Sequence, residues 1–262
     1  MASDLFSLEG RTALVTGGSR GIGAMIAKGF VEQGATVYIS SRKAEACEAA
    51  ALALGPRAFA LPGDVSSVAG VRALAAAYLA RSPALDILVN NAGTGWAAPF
   101  EDFPEAGWDK LMDLHLKAPF FLTQALHGAL KAAARPDRPA KVINIASIDA
   151  IRPGGSDGFS YQASKAGLIY LTRRLAATLI ADAINVTAIA PGHFASNLNR
   201  DARDRPEDVA RRIPARRVGR DEDMAAAAIY LASRAGDYVV GETIAVDGGV
   251  ALASLPAVGA AG

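Results

Sequence analysis

The sequence predicts a single α/β domain over residues 1–262: a doubly wound parallel sheet of about seven strands, with helices on both faces. Three observations predict it. Short apolar runs rich in β-branched residues alternate with Ala- and Leu-rich stretches of helix length, the pattern of right-handed strand–helix–strand crossovers. A glycine-rich turn joins the first such run to the first helical stretch. The 262 residues, 51% of them hydrophobic, suffice to bury one large core.

The first strand, residues 11–16, runs into Gly17-Gly-Ser19-Arg20-Gly21-Ile22-Gly23 and then into a helical pattern at 24–32. Strand, glycine turn and helix N-terminus make a phosphate cradle. Glycines let the backbone approach a pyrophosphate, and free N–H groups and the helix dipole favour its negative charge. The spacing is Gly-x-x-x-Gly-x-Gly, which departs from the general dinucleotide fingerprint. An ordinary Gly-rich turn is the alternative.

The second strand, 36–41, ends at Ser41, followed by Arg42 and Lys43. A site for an unphosphorylated ribose usually ends this strand in a carboxylate. Arg20 is a second cation aimed at the same region. Guanidinium groups suit a 2′-phosphate that a carboxylate repels, so the cofactor expected is NADP(H). A solvated loop charge is the other reading of Arg42.

Further strands are predicted at 58–61, 87–90, 142–146, 186–190 and 243–246, with the longest helices at 108–134 and 161–181. The last of these opens on Tyr161-Gln-Ala-Ser-Lys165. Residues four apart share a helix face. A positive charge about 5 Å from a phenolate, at an effective dielectric of about 20, stabilises it by roughly 3 kcal/mol. Such a pair suits proton exchange at a carbonyl or alcohol oxygen; an amphipathic surface pair is the plain alternative.

Together these motifs resemble the short-chain dehydrogenase/reductase family, and the likeness runs from Leu8 to about Leu252. Carrying it are the glycine turn at 16–23, Asp64-Val65, Asn90-Asn91-Ala92-Gly93, Ser147 in Ile-Ala-Ser-Ile, Tyr161 with Lys165, Pro191-Gly192 and Asp247-Gly-Gly249. Within the family the chain is most similar to NADPH-dependent 3-oxoacyl reductases. The resemblance implies a Rossmann fold and no metal. It implies that Ser147 polarises a substrate carbonyl and that Tyr161 donates the proton as hydride arrives. Lys165 is then expected to lower the tyrosine pKa and to hold the nicotinamide ribose. Asn91 is assigned to the adenosine ribose, Asp64 to the adenine amino group, and residues 189–192 to the carboxamide. Ser19, Ile22, Val65, Ala92, Phe194 and Ser196 complete the expected cofactor shell.

One position departs from the family. Where it usually has an Asn that holds a relay water for the lysine, this chain has His115. A histidine with an ordinary pKa of about 6.5 makes such a relay pH-sensitive. The other reading is that His115 caps a local backbone irregularity.

Residues 193–220 lie between core elements and are polar, which suits a substrate lid. They hold eight arginines against four carboxylates. The surplus cations would meet coenzyme A phosphates or the acidic face of an acyl carrier protein; a self-paired, solvated charge run is the other reading. The substrate expected is a small carbonyl compound, a 3-oxoacyl thioester first, with another ketone or secondary alcohol as the rival. A non-catalytic nucleotide-binding regulator is a third reading. A net charge of +1 argues against nucleic-acid binding. With no apolar run of about 18 residues, a membrane span is not expected. One cysteine, Cys47, allows no internal disulfide and fits the cytoplasm. The long helices are apolar over much of their surface, so a homotetramer or homodimer is expected. The Ala/Gly/Pro tail at 253–262 is expected to pack little, or to lie on a neighbour.

Overall fold

The seven strands are Thr12–Thr16 (β1), Thr36–Ser40 (β2), Ala58–Ala60 (β3), Ile87–Asn90 (β4), Ala140–Ile145 (β5), Ile184–Pro191 (β6) and Thr243–Val246 (β7). The computed structural model describes residues 2–253, so the predicted tail beyond Ala253 lies outside the described residues. All seven strands form one sheet in the order β3-β2-β1-β4-β5-β6-β7, and every pairing is parallel. Chain order reverses between β1 and β4. In an open parallel sheet the ligand crevice lies at that reversal, outside the carboxyl ends of the strands.

Alternation along the strands divides the core. Leu14 and Leu88 face one side, with Val142 and Val186, and Ala13, Val15, Val89 and Ile143 face the other. On the second side pack Gly21–Glu32 (α1), Ala44–Leu54 (α2) and, further along the chain, Asp221–Ala232, through Phe30, Cys47 and Leu231. Gly29 of α1 meets this last helix closely: a Cβ there would stand 2.7 Å from that of Ala225. On the first side pack Val68–Leu79 (α3), and later Ala118–Ala125, His127–Ala133 and Phe159–Leu179, through Tyr78, Leu122, Leu130 and Leu175. Continuous burial of β5 and β6 is what a parallel sheet covered on both faces requires.

The helix predicted over 108–134 is not one rod. It begins earlier, as Glu105–Met112 (α4), passes through a π-helical turn at Asp113–Lys117, and resumes as Ala118–Ala125 (α5) and His127–Ala133 (α6). Phe159–Leu179 (α7) matches the prediction at 161–181 to within two residues. Residues 193–220 contain two short helices, Arg200–Asp204 (α8) and Pro206–Ala210 (α9), before Asp221–Ala232 (α10). Their charges pair among themselves and with α10: Arg203 with Asp204, Arg205 with Asp201, Arg211 with Asp208 and Arg217 with Asp223. The self-paired reading therefore describes four of the eight arginines.

Cys47 is buried, and its Sγ–H donates to the Ile39 carbonyl at 3.1 Å, a packed thiol. At the opposite, amino edge of the sheet a charged cluster is folded in. Lys141, 1% exposed, sets Nζ 2.7 Å from Asp237 Oδ1, at an angle short of a hydrogen bond. Arg11 donates to the Pro139 carbonyl, and Arg138 pairs with Asp86. No described helix is long and apolar enough to cross a membrane.

Candidate active site

The crevice at the β1–β4 reversal is built by glycines. Gly17 and Gly21 take φ of +66° and +55°, a region that costs an L side chain. A Cβ on Gly17 would stand 2.8 Å from Asn91 Nδ2, one on Gly18 2.8 Å from Ile39, and one on Gly23 would overlap the Gly17 carbonyl. The turn thus presents bare backbone to the N-terminus of α1, whose residue 20 has no side-chain cap.

The loop after β4 is laced to this turn. Asn91 Nδ2 donates to the Thr16 and Gly17 carbonyls, and Thr16 Oγ1 accepts from the Asn91 and Ala92 amides. Thr16, which the sequence reading did not single out, is the hub of this join. Beyond β2, Ser41 Oγ donates to the Lys43 carbonyl. Arg20 caps the start of α1 and Arg42 follows β2, and neither has an ion-pair partner among the described residues. Asp64 Oδ1 caps its own turn by accepting from the Ser66 amide, and Val65 is buried in the core. No acidic residue follows β2 directly, so the residues present fit a 2′-phosphorylated dinucleotide.

Across the sheet, β6 ends at Pro191 and is followed by Gly192. A Cβ on Gly192 would press on Asp247, which follows β7. Ser196 Oγ accepts from the Asn199 amide, and its Cβ lies beside Gly21. Ile22 packs partly against the core. Phe194, expected in the cofactor shell, is 2% exposed with its ring against Gly219, and it packs in the core cluster beside the crevice.

Ser147 follows β5 and caps a short 3-10 turn, its Oγ accepting from the Asp149 amide. Tyr161 lies in the first turn of α7, and its hydroxyl shares a hydrogen bond with Ser147. Lys165, one turn on and 5% exposed, donates from Nζ to the Ile145 carbonyl at 2.6 Å, with the ammonium 5.9 Å from the Tyr161 ring centre. The structure therefore brings hydroxyl, phenol and amine together at the carboxyl edge of the sheet.

The electrostatics reverse one expectation. Burial raises the Tyr161 pKa above that of a free phenol; the Ser147 hydrogen bond opposes this and Asp149 adds to it. The nearby lysine does not bring it down. Burial has instead pulled Lys165 itself down to about 7, so its charge is partly lost at neutral pH. A stability prediction follows. Unfolded, Lys165 keeps its proton up to about pH 10.5, whereas the folded chain keeps it only up to about 7. Unfolding then takes up a proton in that window, and stability rises with pH through it. Chemical denaturation at pH 7 and pH 9 should show Lys165 contributing roughly 2 kcal/mol of increase, which Lys165→Met removes. An equal increase in the variant would refute the assignment.

His115 is 1% exposed inside the π-helical turn. Nε2 accepts from the Thr94 amide at 3.1 Å, and Nδ1 lies 3.0 Å from Ser164 Oγ. Burial, with Lys165 beside it, lowers its pKa to about 2. Both causes disfavour the charged form of the ring. Beneath the site Asn90, in register with Asn144, donates to Asn144 Oδ1, and Asn144 donates to Thr172 Oγ1. This network joins β4, β5 and α7. Its signal in the sequence is an asparagine inside each of two apolar strand runs.

Comparison with known proteins agrees with this geometry. A family model described as enoyl-(acyl carrier protein) reductase matches residues 17–251. The chain is 48% identical over 249 residues to the rhamnolipids biosynthesis 3-oxoacyl-[acyl-carrier-protein] reductase of Pseudomonas aeruginosa, covering 93% of this chain and 97% of that one. A solved P. aeruginosa RhlG/NADP active-site complex superposes with a TM-score of 0.91 at 48% identity, covering 95% and 99% of the two chains. A gluconate 5-dehydrogenase from Burkholderia cenocepacia, in complex with NADP and tartrate, superposes at 0.87 with 37% identity, covering 95% and 98%. Motifs, sheet order and relatives converge: the chain belongs to the short-chain dehydrogenase/reductase family and is an oxidoreductase of it.

Proposed function

We propose that the protein reduces a 3-oxoacyl thioester to the 3-hydroxyacyl form with NADPH, as a step of lipid metabolism. The observation that carries this reading is the near-full-length likeness, at 48% identity, to a 3-oxoacyl reductase. Around it the residues divide the work. Gly17, Ser19, Gly21, Ile22 and Gly23 cradle the pyrophosphate; Ser41, Arg20 and Arg42 receive the 2′-phosphate. Asp64, Val65, Asn91, Ala92 and Gly93 line the adenosine half. Pro191, Gly192, Phe194 and Ser196 line the nicotinamide half. Bound NADPH supplies the hydride. Ser147 donates a hydrogen bond to the substrate oxygen and polarises the carbonyl. Tyr161 passes its proton to that oxygen, and Lys165 holds the ribose hydroxyls beside the phenol.

A second reading is a dehydrogenase of a polyol or sugar acid. Asp149, against Ser147, feels the His193 side chain electrostatically, and His193 Nδ1 meets Asn199 Nδ2 at 3.2 Å, polar groups suited to substrate hydroxyls. Following loss of the reduced-nicotinamide absorbance with acetoacetyl-CoA, and with gluconate-type ketones, decides between them. Turnover confined to the non-thioester ketones would overturn the thioester reading. Coenzyme A and acyl carrier protein are the two carriers this reading admits. Exposed Phe100, Trp108, Phe159 and Tyr170, on and beside α4 and α7, fit a homotetramer or homodimer. A buried lone thiol fits the cytoplasm.

A further inference from the structure

His115 stands at a position where a proton relay is expected, yet its surroundings are those of a fastener. We propose that His115 is a positioning residue, a neutral two-sided clamp that ties the backbone of Tyr161 to the loop after β4, and that it relays no proton. The inference rests on the reading of Tyr161 as the acid.

The hydrogen bonds run in one direction. The Thr94 N–H donates to Nε2, so Nε2 bears no proton. The proton of the neutral ring therefore sits on Nδ1, which donates to Ser164 Oγ; the Ser164 hydroxyl in turn donates to the Tyr161 carbonyl at 2.9 Å. Both ring nitrogens are spent on protein partners, which leaves neither to hold a water. The ring edge also meets the Tyr161 ring, centres 5.4 Å apart at 88°. Gly93 allows the approach, since a Cβ there would stand 3.2 Å from Nε2.

The far end of the chain matters as much. Thr94 follows Asn91 and Ala92, which are hydrogen-bonded to Thr16 and Gly17. An unbroken series of contacts thus links the glycine turn to the first turn of α7, and His115 is its middle member. The charges around the ring leave it no counter-ion. Lys165 faces it from α7, while Asp113 and Lys117 on its own turn pair with each other. A relay needs a group that gains and loses a proton near working pH, and this one is held neutral.

Side-chain length separates the two contacts. From the same Cβ, asparagine reaches the Nδ1 position and can donate to Ser164; glutamine reaches the Nε2 position and can accept from Thr94. The test compares His115→Ala, His115→Asn, His115→Gln and Ser164→Ala in steady-state ketone reduction across pH, with NADPH affinity from fluorescence and amide hydrogen exchange at Thr94. Misplacing a reacting group by a fraction of an ångström lowers turnover more than binding, so His115→Ala should lose roughly tenfold or more in kcat, with the NADPH Kd within about twofold. Asparagine and glutamine each recover part of the loss. Ser164→Ala adds little to His115→Ala because the two act as a unit. The pH profile keeps its shape in every variant. Thr94 protection falls in the alanine and asparagine variants and is retained with glutamine.

A limb of the pH profile that moves or vanishes with His115 would overturn the clamp in favour of a relay. Wild-type kcat in His115→Ala, or NADPH affinity falling in step with kcat, would overturn it too. If the unaltered enzyme failed to oxidise NADPH with any of the ketones, the reductase reading would fall. The exchange measurement still decides the clamp in that case: unchanged Thr94 protection in His115→Ala rejects it.

Discussion

Replacing Tyr161 by phenylalanine is expected to lower kcat for ketone reduction by roughly a thousandfold, within the range for loss of a general acid, and to change NADPH affinity by less than about threefold. The ring and its edge contact with His115 survive the change; only the hydroxyl that meets Ser147 is lost. Burial raises the phenol pKa, so the wild-type group holds its proton at neutral pH, as a donor must. Initial rates at saturating NADPH measure the effect. Turnover within tenfold of wild type would remove Tyr161 from the chemistry and leave Ser147 with a water as donor.

The second large effect falls at the other end of the sheet. Asp237→Ala strips the counter-charge from a lysine that is 1% exposed. Breaking a buried ion pair from one side costs about 3–5 kcal/mol. At roughly 2–4 °C per kcal/mol for a chain of this size, the melting temperature should fall by about 10 °C. Lys141→Met removes the buried charge and keeps the volume, and is expected to be close to neutral. Thermal denaturation of the two variants separates the accounts. Equal losses would mean that packing, and not the charge, holds this corner. Catalytic constants should be little affected, because the pair lies at the amino edge and the site at the carboxyl edge.

Much of this was legible in the residues. Apolar β-branched runs such as Val142-Ile143 and Val186 mark strands buried on both faces, and the glycine turn marks the crevice because only glycine fits between Ile39, Asn91 and the Gly17 carbonyl. Ser147, Tyr161 and Lys165 were readable as chemistry, and the fold brings them together. What spacing left hidden was the environment. Four residues on a helix place an amine near a phenol, yet the Ile145 carbonyl and burial decide what that amine does. The hydrogen-bond partners of His115, Thr94 and Ser164, are 21 and 49 residues away. That the Phe194 ring packs over Gly219, 25 residues on, is likewise not written in its place after Pro191-Gly192. The break at Asp113–Lys117 has its signal in Pro119, which has no N–H to give the His115 carbonyl four residues back.

That break has a consequence for the shape of the rod it interrupts. A regular helix turns 100° per residue, so one additional residue in a turn rotates everything downstream by about that amount. Upstream, Gly107 and Leu111 are the buried positions; downstream they are Ala118, Pro119, Leu122 and Thr123. The wide turn lets one continuous spiral serve two neighbours in different directions, as a twisted key fits two wards of a lock.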